Sequence, residues 1–190
     1  MKRKQILLID NNDSFTYNIV EALRKIKDCQ LKVVKSSVIK QKQLEEADKV
    51  ILSPGPGLPS EIPALHSIIQ FCKDFDIPLL GICLGHQAIG EFFGGEIKQM
   101  ETPLHGRREK CKVDIQTALF QGLPKEIEVG LYHSWKVSSL SDEMRQIGLS
   151  STEIIMAIQH KRYKIYGIQF HPESFITKKG DRILSNFIAL

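Results

Sequence analysis

The sequence has few of the features that mark secreted, membrane or nucleic-acid-binding proteins. Its four cysteines form no C-x-x-C pair and have no regular spacing, which is typical of free thiols in a reducing compartment. No apolar run approaches the roughly 20 residues that a membrane-spanning helix needs. The amino terminus also does not follow the pattern of a signal peptide. We therefore expect a cytoplasmic protein with no contact to a membrane.

Aromatic residues make up only 7% of the chain, and few of them lie among basic residues. The net charge of +4 is mild, so a nucleic-acid partner is not expected. Hydrophobic residues account for 42% and charged residues for 25%, which are ordinary values for a globular protein. The 190 residues contain no repeat or long linker, and they suit one domain, which we place at 1–190.

Buried strands and helices alternate in the first half of the chain. Apolar runs predict strands at 5–10, 31–35, 49–55 and 77–82, and helical periodicity predicts helices at 13–26, 60–74 and 84–93. Asp13 or Ser14 is the predicted cap of the first helix. After residue 95, short alternating segments such as "EIKQM" and "KCKVDI" predict further strands, some antiparallel, before a final helix near 180–189. The pattern predicts a single-domain, three-layer α/β fold, with an open, mixed, mostly parallel sheet and helices on both faces.

Residues 81–85 read Gly-Ile-Cys-Leu-Gly, between a predicted strand and a predicted helix. In the analogous serine motif, the flanking glycines permit a sharp turn that projects the nucleophile into a site. A thiolate at a helix amino terminus is also stabilised by unpaired N–H groups. A cysteine that only fills space does not require two glycines, so Cys83 is predicted to be a nucleophile. The other three cysteines, Cys29, Cys72 and Cys111, are interpreted as small buried residues.

A nucleophile needs a base and a group that orients the base. His171 and Glu173, in "YGIQFHPES" after an apolar strand, supply an imidazole and a carboxylate separated by one proline. The loop "SPGPG" (53–57) follows another strand, and its glycines would let backbone N–H groups approach a substrate oxygen, as in an oxyanion hole. Each feature alone fits an ordinary surface pair or turn. Combined with Cys83, they favour catalysis.

Five segments together resemble the class I glutamine amidotransferases. The match is near to component II, the glutaminase subunit shared by anthranilate synthase and aminodeoxychorismate (para-aminobenzoate) synthase. The segments are "DNNDSFTYNIV" (10–20), "LSPGPGLP" (52–59), "GICLGHQAIG" (81–90), "YHSW" (132–135) and "QFHPESFIT" (169–177), in that family's order over nearly the whole chain. The resemblance implies a flavodoxin-like fold. It also implies hydrolysis of L-glutamine to glutamate and ammonia, with the ammonia delivered to a chorismate-binding component I subunit for tryptophan or folate synthesis.

By the same resemblance, Cys83 is the nucleophile, His171 the general base and acid, and Glu173 the carboxylate that orients it. The residues implied to bind glutamine or the oxyanion are Gly55, Pro56, Gly57, Leu84, Gln87, Ser134 and Trp135. No cofactor is implied in this chain, although the partner subunit would use Mg²⁺. Trp135 stands where leucine is also common in the family.

The segment "LHGRREK" (104–110) replaces a stretch that more often reads His-Gly-Lys-x-Ser in relatives and lies near their partner subunit. The sequence therefore leaves open how the subunits communicate. It also leaves open which of the two synthases is the partner, the stoichiometry of the complex and any feedback regulation.

The remaining polar residues receive simpler interpretations. Asp10, Asn11 and Ser14 follow the first strand and are placed near the edge of the site. His66 and His160 are expected at the surface. His86 is assigned to a different helix face from Gln87, and the spacing of His105 and His133 does not match a metal site, so no metal is expected.

Two alternative functions stay open at this point. One is a γ-glutamyl hydrolase or cysteine peptidase on a related fold, which "SPGPG", Gln87 and "YHSW" disfavour because they fit free glutamine. The other is a non-catalytic regulatory subunit with a vestigial site. The presence of Cys83, His171 and Glu173 argues against it.

Overall fold

The computed structural model describes residues 3–27 and 29–190, so residues 1, 2 and 28 of the predicted domain lie outside the described chain. The strands are β1 (Lys4–Asp10), β2 (Cys29–Lys35), β3 (Lys49–Leu52), β4 (Leu79–Ile82), β5 (Glu96–Val113), β6 (Glu126–Ser139), β7 (Met144–Ser150), β8 (Ile155–His160) and β9 (Ile165–Ile168). The α-helices are α1 (Thr16–Arg24), α2 (Gln41–Glu45), α3 (Ala64–Asp74), α4 (Leu84–Phe92) and α5 (Gly180–Ala189).

All of these strands form one mixed sheet in the order β2-β1-β3-β4-β9-β8-β7-β5-β6. The strands from β2 to β9 in this order are parallel, and those from β9 to β6 pair in antiparallel fashion. The parallel part has the 2-1-3-4-5 order of flavodoxin-like sheets, with β9 in the fifth place. The chain passes from β1 to β2 on one side and then crosses back to β3 on the other side of β1. This reversal creates the topological switch point where such sheets bind ligands.

Helices cover both faces of the sheet, as the sequence predicted. Successive residues of a strand point to opposite faces, so β1 divides its side chains between two cores. Ile6 and Leu8 pack with the apolar residues of α1 and α5, whereas Leu7 and Ile9 pack with those of α3 and α4. Because both faces are buried, the parallel strands read as nearly continuous apolar runs.

Helix α1 is shorter than predicted because residues 13–15 form a turn. The Asp13 carboxylate accepts a hydrogen bond from the Phe15 N–H group at 2.7 Å, and its backbone carbonyl accepts one from the N–H group of Thr16 at 3.2 Å. Phe15 occupies the N-cap position, and no side chain caps the helix. The prediction that Asp13 or Ser14 caps the helix was therefore wrong: Asp13 stabilises the preceding turn instead.

Other elements also differ from the sequence prediction. Strand β3 ends at Leu52 and not at residue 55, because the proline-rich loop begins directly after it. Helix α2 was not predicted, since its five residues are too few to show a clear period. Helix α3 begins at Ala64 because a short 3₁₀ turn at Pro59–Glu61 follows the proline-rich loop. The segments "EIKQM" and "KCKVDI" belong to one strand, β5, which includes "LHGRREK" and continues along β6 through register shifts near Gly106, where φ is 65°.

Candidate active site

The predicted catalytic groups lie where parallel strands of the sheet end. Cys83 follows β4 directly, and its backbone N–H group bonds to the carbonyl of Ile168, the last residue of β9, at 2.8 Å. His171 comes three residues after β9, and its N–H group bonds to the carbonyl of Gly130 in β6 at 3.1 Å. Backbone hydrogen bonds to β9 and β6 therefore fix Cys83 and His171 at the carboxyl edge of the parallel strands.

Cys83 has a strained backbone of the kind expected for a nucleophile at a strand–helix turn. Its φ is 52° and its ψ is −100°, outside the regions that residues other than glycine usually adopt, and it occupies the N-cap position of α4. A Cβ atom on Gly81 would collide with the backbone of Gly85. One on Gly85 would lie 2.7 Å from the Leu52 Cβ. Both glycines of the motif are thus required, because α4 packs directly against β3 and β4.

His171 and Glu173 form a buried pair. His171 Nδ1 lies 2.7 Å from Glu173 Oε1, and the two side chains are 2% and 0% exposed. The other imidazole nitrogen, Nε2, is buried without a hydrogen bond of standard geometry. Burial lowers the pKa of His171, but the hydrogen bonds and charges of Cys83 and Glu173 outweigh it and raise that pKa to about 10. His171 therefore carries a proton at neutral pH, between the Cys83 sulfur and the Glu173 carboxylate.

Two other buried histidines near the site, His86 and His133, are neutral. Burial lowers the pKa of His86 to about 3 and that of His133 to about 4, because neither has an adjacent anion. His133 Nδ1 donates to the carbonyl of Trp135 at 2.9 Å. His171 is thus the cationic imidazole of this group, since it alone lies between a thiol and a carboxylate.

A cavity of about 190 Å³ opens beside the Cys83 sulfur. Its lining includes all but one of the residues that the sequence assigned to glutamine or the oxyanion, namely Gly55, Pro56, Gly57, Gln87, Ser134 and Trp135. The exception, Leu84, packs against this wall: a Cβ atom on Gly55 would lie 2.5 Å from its Cδ2 atom. Because Leu84 is the first residue of α4, its N–H group has no intrahelical acceptor and is available at the start of the helix.

The glycine loop is held against the end of β1. The Asn11 N–H group donates to Ser53 Oγ and its side-chain amide donates to the Ser53 carbonyl, both at 2.9 Å. Asn11 thus lies beneath the loop, as its placement near the site predicted. Asp10 instead accepts a bond from the Thr16 hydroxyl at the start of α1, and Ser14 is exposed.

Comparison with known proteins identifies the family. The model for class-I glutamine amidotransferases matches residues 7–190. The chain belongs to this family. Anthranilate synthase component 2 of Cyanophora paradoxa is 39% identical over 188 residues, which are 96% of this chain and 97% of the relative. Aminodeoxychorismate synthase of Streptomyces griseus is 37% identical over 183 residues, which are 95% of this chain and 25% of that longer protein.

A solved structure shares the whole architecture of this amidotransferase. It is a Thermoplasma acidophilum protein provisionally assigned to GMP synthase, with a TM-score of 0.89 and 31% sequence identity. The match covers 100% of this chain and 94% of the other. The mixed α/β fold predicted from the sequence is therefore confirmed.

Three residues of the amidotransferase site escaped the sequence analysis. Phe15 and Tyr132 flank the His171 imidazole, with ring centroids 5.2 and 5.0 Å from it, and limit its movement. Gln169, which is fully buried, donates from its side-chain amide to the Cys83 sulfur at 3.6 Å. A signal for Gln169 was present, because it stands two residues before His171 and follows the same strand.

Two of the other three cysteines are small buried residues, as the sequence predicted. Cys72 and Cys111 are fully buried, and burial raises the pKa of each thiol to about 12. Cys29 is half-buried, and its thiol donates to carbonyls in the turn after α1. Of the four cysteines, Cys83 alone lines the cavity.

The surface position predicted for His160 was wrong, whereas His66 is half-exposed as expected. His160 is buried, and its Nδ1 atom accepts hydrogen bonds from the N–H groups of Arg162 and Tyr163, both at 3.0 Å. Such a bond from an imidazole to a turn leaves no periodic trace in the sequence. Within residues 3–27 and 29–190, no group of three or more His, Cys, Asp or Glu residues could hold a metal ion, and no helix is long and apolar enough to cross a membrane.

Proposed function

We propose that this chain hydrolyses L-glutamine to glutamate and ammonia, and that it passes the ammonia to a separate synthase subunit that aminates chorismate. The observation that carries the proposal is the site itself: a thiol on a strained strand–helix turn faces a small cavity and a buried His171–Glu173 pair. The family model and the full-length likeness to an anthranilate synthase component 2 support the same function.

In the first half of the reaction, the Cys83 thiolate attacks the carboxamide carbon of glutamine. The carbon–sulfur bond forms while the carbonyl oxygen gains negative charge, which backbone N–H groups of Leu84 and the loop at 55–57 stabilise. Amides are poor electrophiles, and removing one such donor typically costs about 10²–10³ in rate. The His171 imidazolium then protonates the amide nitrogen, the carbon–nitrogen bond breaks and ammonia leaves a γ-glutamyl thioester.

In the second half, the now neutral His171 takes a proton from water, and the resulting hydroxide attacks the thioester. The carbon–sulfur bond breaks, glutamate leaves, and the thiolate–imidazolium pair is restored. Glu173 keeps His171 in one tautomer through both halves, because its carboxylate accepts the Nδ1 proton at 2.7 Å. The same nitrogen of His171, Nε2, therefore serves as acid and then as base.

The size of the cavity favours a free amino acid over a peptide. Its volume of about 190 Å³ is below the roughly 300–1,000 Å³ of pockets that bury drug-sized ligands. The β5–β6 segments also close it on one side, where His105, Tyr132 and Ser134 line the wall. A peptide flanking the scissile amide would have to extend past this wall, so hydrolysis of peptides is not the proposed activity.

The acceptor of the ammonia is proposed to be a chorismate-binding component I subunit. Relatives named for both anthranilate synthase and aminodeoxychorismate synthase support this class of partner. The structural relative assigned to GMP synthase makes that enzyme the comparison that must be excluded. Ammonia that is released into water becomes protonated and is then no longer a nucleophile, so glutamine hydrolysed without a partner is wasted. We therefore expect low glutaminase activity in the isolated chain and stimulation by the correct partner. The partner would supply the Mg²⁺-dependent chemistry.

A reconstitution experiment tests the function and the partner together. The chain is mixed with anthranilate synthase component I, aminodeoxychorismate synthase component I or the synthetase subunit of GMP synthase, each with its own acceptor substrate and glutamine. We expect glutamate release to rise with a chorismate enzyme, together with the aromatic amine. The variant Cys83→Ser serves as the control, and ammonium chloride in place of glutamine should restore amine formation in its presence. Equal glutamate release with and without every partner would contradict the proposed coupling.

A further inference from the structure

A chain of hydrogen bonds connects the wall of the cavity to the Cys83 sulfur. Gln87 Nε2 donates to the carbonyl of Trp135 at 2.9 Å and to Gln169 Oε1 at 3.2 Å. Gln169 Nε2 then donates to Cys83 Sγ at 3.6 Å, a length that the large sulfur atom allows. Gln87 and Gln169 are 3% and 0% exposed, so water does not compete for these bonds.

The direction of this chain is fixed by its first member. A backbone carbonyl can only accept, so the Gln87 atom that contacts Trp135 must be the amide nitrogen. The same nitrogen contacts Gln169, which must therefore present its oxygen to Gln87. The remaining terminal group of Gln169, its NH₂ group, is thereby forced to face the sulfur. Reversing either amide would bring two acceptors or two donors together in a buried place, which is costly.

We infer that Gln169 is a positioning residue whose side-chain amide donates to the Cys83 sulfur and favours the thiolate, in an orientation imposed by Gln87 and the Trp135 carbonyl. A hydrogen bond to an ionised acceptor is roughly twice as strong as one between neutral groups. The bond is therefore stronger when the sulfur is a thiolate.

The sharpest test replaces only the donor. Gln169→Glu keeps the shape of the side chain and an oxygen for the Gln87 bond, but it turns a second oxygen toward the sulfur. Gln169→Met removes both polar atoms at similar volume. Gln159→Met is the matched control, because Gln159 lies in β8 and bonds to Arg145 at 2.9 Å, outside the site. Thermal unfolding of each variant checks that it is folded.

The readout is the rate at which iodoacetamide alkylates Cys83 in the isolated chain, measured by peptide mass spectrometry between pH 5 and 10. We expect the midpoint of the pH–rate curve to rise by about one unit or more in Gln169→Glu, and less in Gln169→Met. One unit corresponds to about a tenfold loss of thiolate at a pH below both midpoints. The plateau at high pH should stay near that of the unmodified chain, because the sulfur remains accessible. Gln159→Met should leave the whole curve unchanged.

Two results would overturn the inference. One is an unchanged midpoint in both folded Gln169 variants, and the other is a uniform loss of rate at every pH, which indicates a purely structural role. If Gln169→Glu does not fold, Gln169→Met decides alone. The inference deepens the proposed function but is tested apart from it, since alkylation requires neither glutamine nor a partner. A shifted alkylation curve, together with no glutaminase activity in the presence of any of the partner subunits, would therefore refute the function and not the role of Gln169.

Discussion

The variant Glu173→Gln tests the buried pair on which the proposed mechanism depends. Glu173 Oε1 lies 2.7 Å from His171 Nδ1, the side chain is fully buried, and the other carboxylate oxygen, Oε2, has no hydrogen-bond partner. Glutamine preserves the shape but removes the charge, and its amide group can turn a donor toward Nδ1 and so favour the wrong tautomer of His171. The substitution therefore weakens the imidazolium without opening a cavity.

The size of the effect follows from the bond that is lost. A hydrogen bond to a charged group contributes about 1.5–3 kcal/mol, and each 1.36 kcal/mol is a factor of ten in rate. We therefore expect kcat/KM for glutamine to fall by about 10- to 150-fold. The pH dependence should change as well. Glu173 is one of the groups that raise the pKa of His171, so its replacement lowers that pKa and moves the loss of activity at high pH toward lower pH.

The assay is glutamate release as a function of pH, with the partner subunit present in excess. Glu143→Gln is a matched control, since Glu143 lies 3.5 Å from His160 Nε2 in a second His–Glu pair away from the site and is 59% exposed. That variant should stay within about twofold of the unmodified chain, because the exposed Glu143 carboxylate is solvated and contributes little to its ion pair. A folded Glu173→Gln chain that keeps its activity within twofold, or an equal loss in Glu143→Gln, would refute the reasoning.

Three further predictions concern packing and hydrogen bonding around the site and in the fold. Gly81→Ala should lower the unfolding temperature and slow alkylation of the nucleophile, because its Cβ collides with the backbone of Gly85 and overpacking costs about 1–3 kcal/mol; differential scanning calorimetry measures the first effect. Phe15→Ala should lower kcat/KM by about tenfold by freeing the catalytic imidazole, while Tyr17→Ala, at a side chain 70% exposed, should not; steady-state kinetics with partner would contradict this if both variants behaved alike. His160→Leu should reduce the free energy of unfolding in urea by about 1–3 kcal/mol, because two backbone N–H groups lose their acceptor, and an unchanged urea midpoint would contradict this.

The sequence carries the parts of the site that depend on local chain geometry. The glycines at 81 and 85, the proline between His171 and Glu173 and the loop at 53–57 each leave a recognisable local pattern. The carboxyl ends of β1, β2 and β4 were also predictable, because their apolar runs stop where the chain reaches the edge of the sheet. For these reasons the nucleophile turn, the alternating strands and helices and the two helix layers were all expected before the structure.

The rest arises from contacts between segments far apart in the chain. Gln169 acts on a sulfur 86 positions earlier, and its partner Gln87 is 82 positions away, so no local pattern reveals either contact. Phe15 looked like the apolar face of a helix, yet it lies in the turn before α1 and its ring packs against His171. His160 looked like a surface residue because a buried imidazole that bonds to a turn has no characteristic spacing.

The place of β9 in the sheet has a consequence for the order in which the protein is made. Strand β9 lies between β4 and β8 in the sheet, although among the strands of the described residues it comes last in the chain. A growing chain therefore contains Cys83 before Gln169, His171 and Glu173 have been added, and until then the place beside β4 that β9 occupies stays unfilled. A chain that ends before β9 lacks Gln169, His171 and Glu173 and cannot assemble the site, so the capacity to release ammonia arises only after β9 has been added. By then the rest of the sheet has already been synthesised.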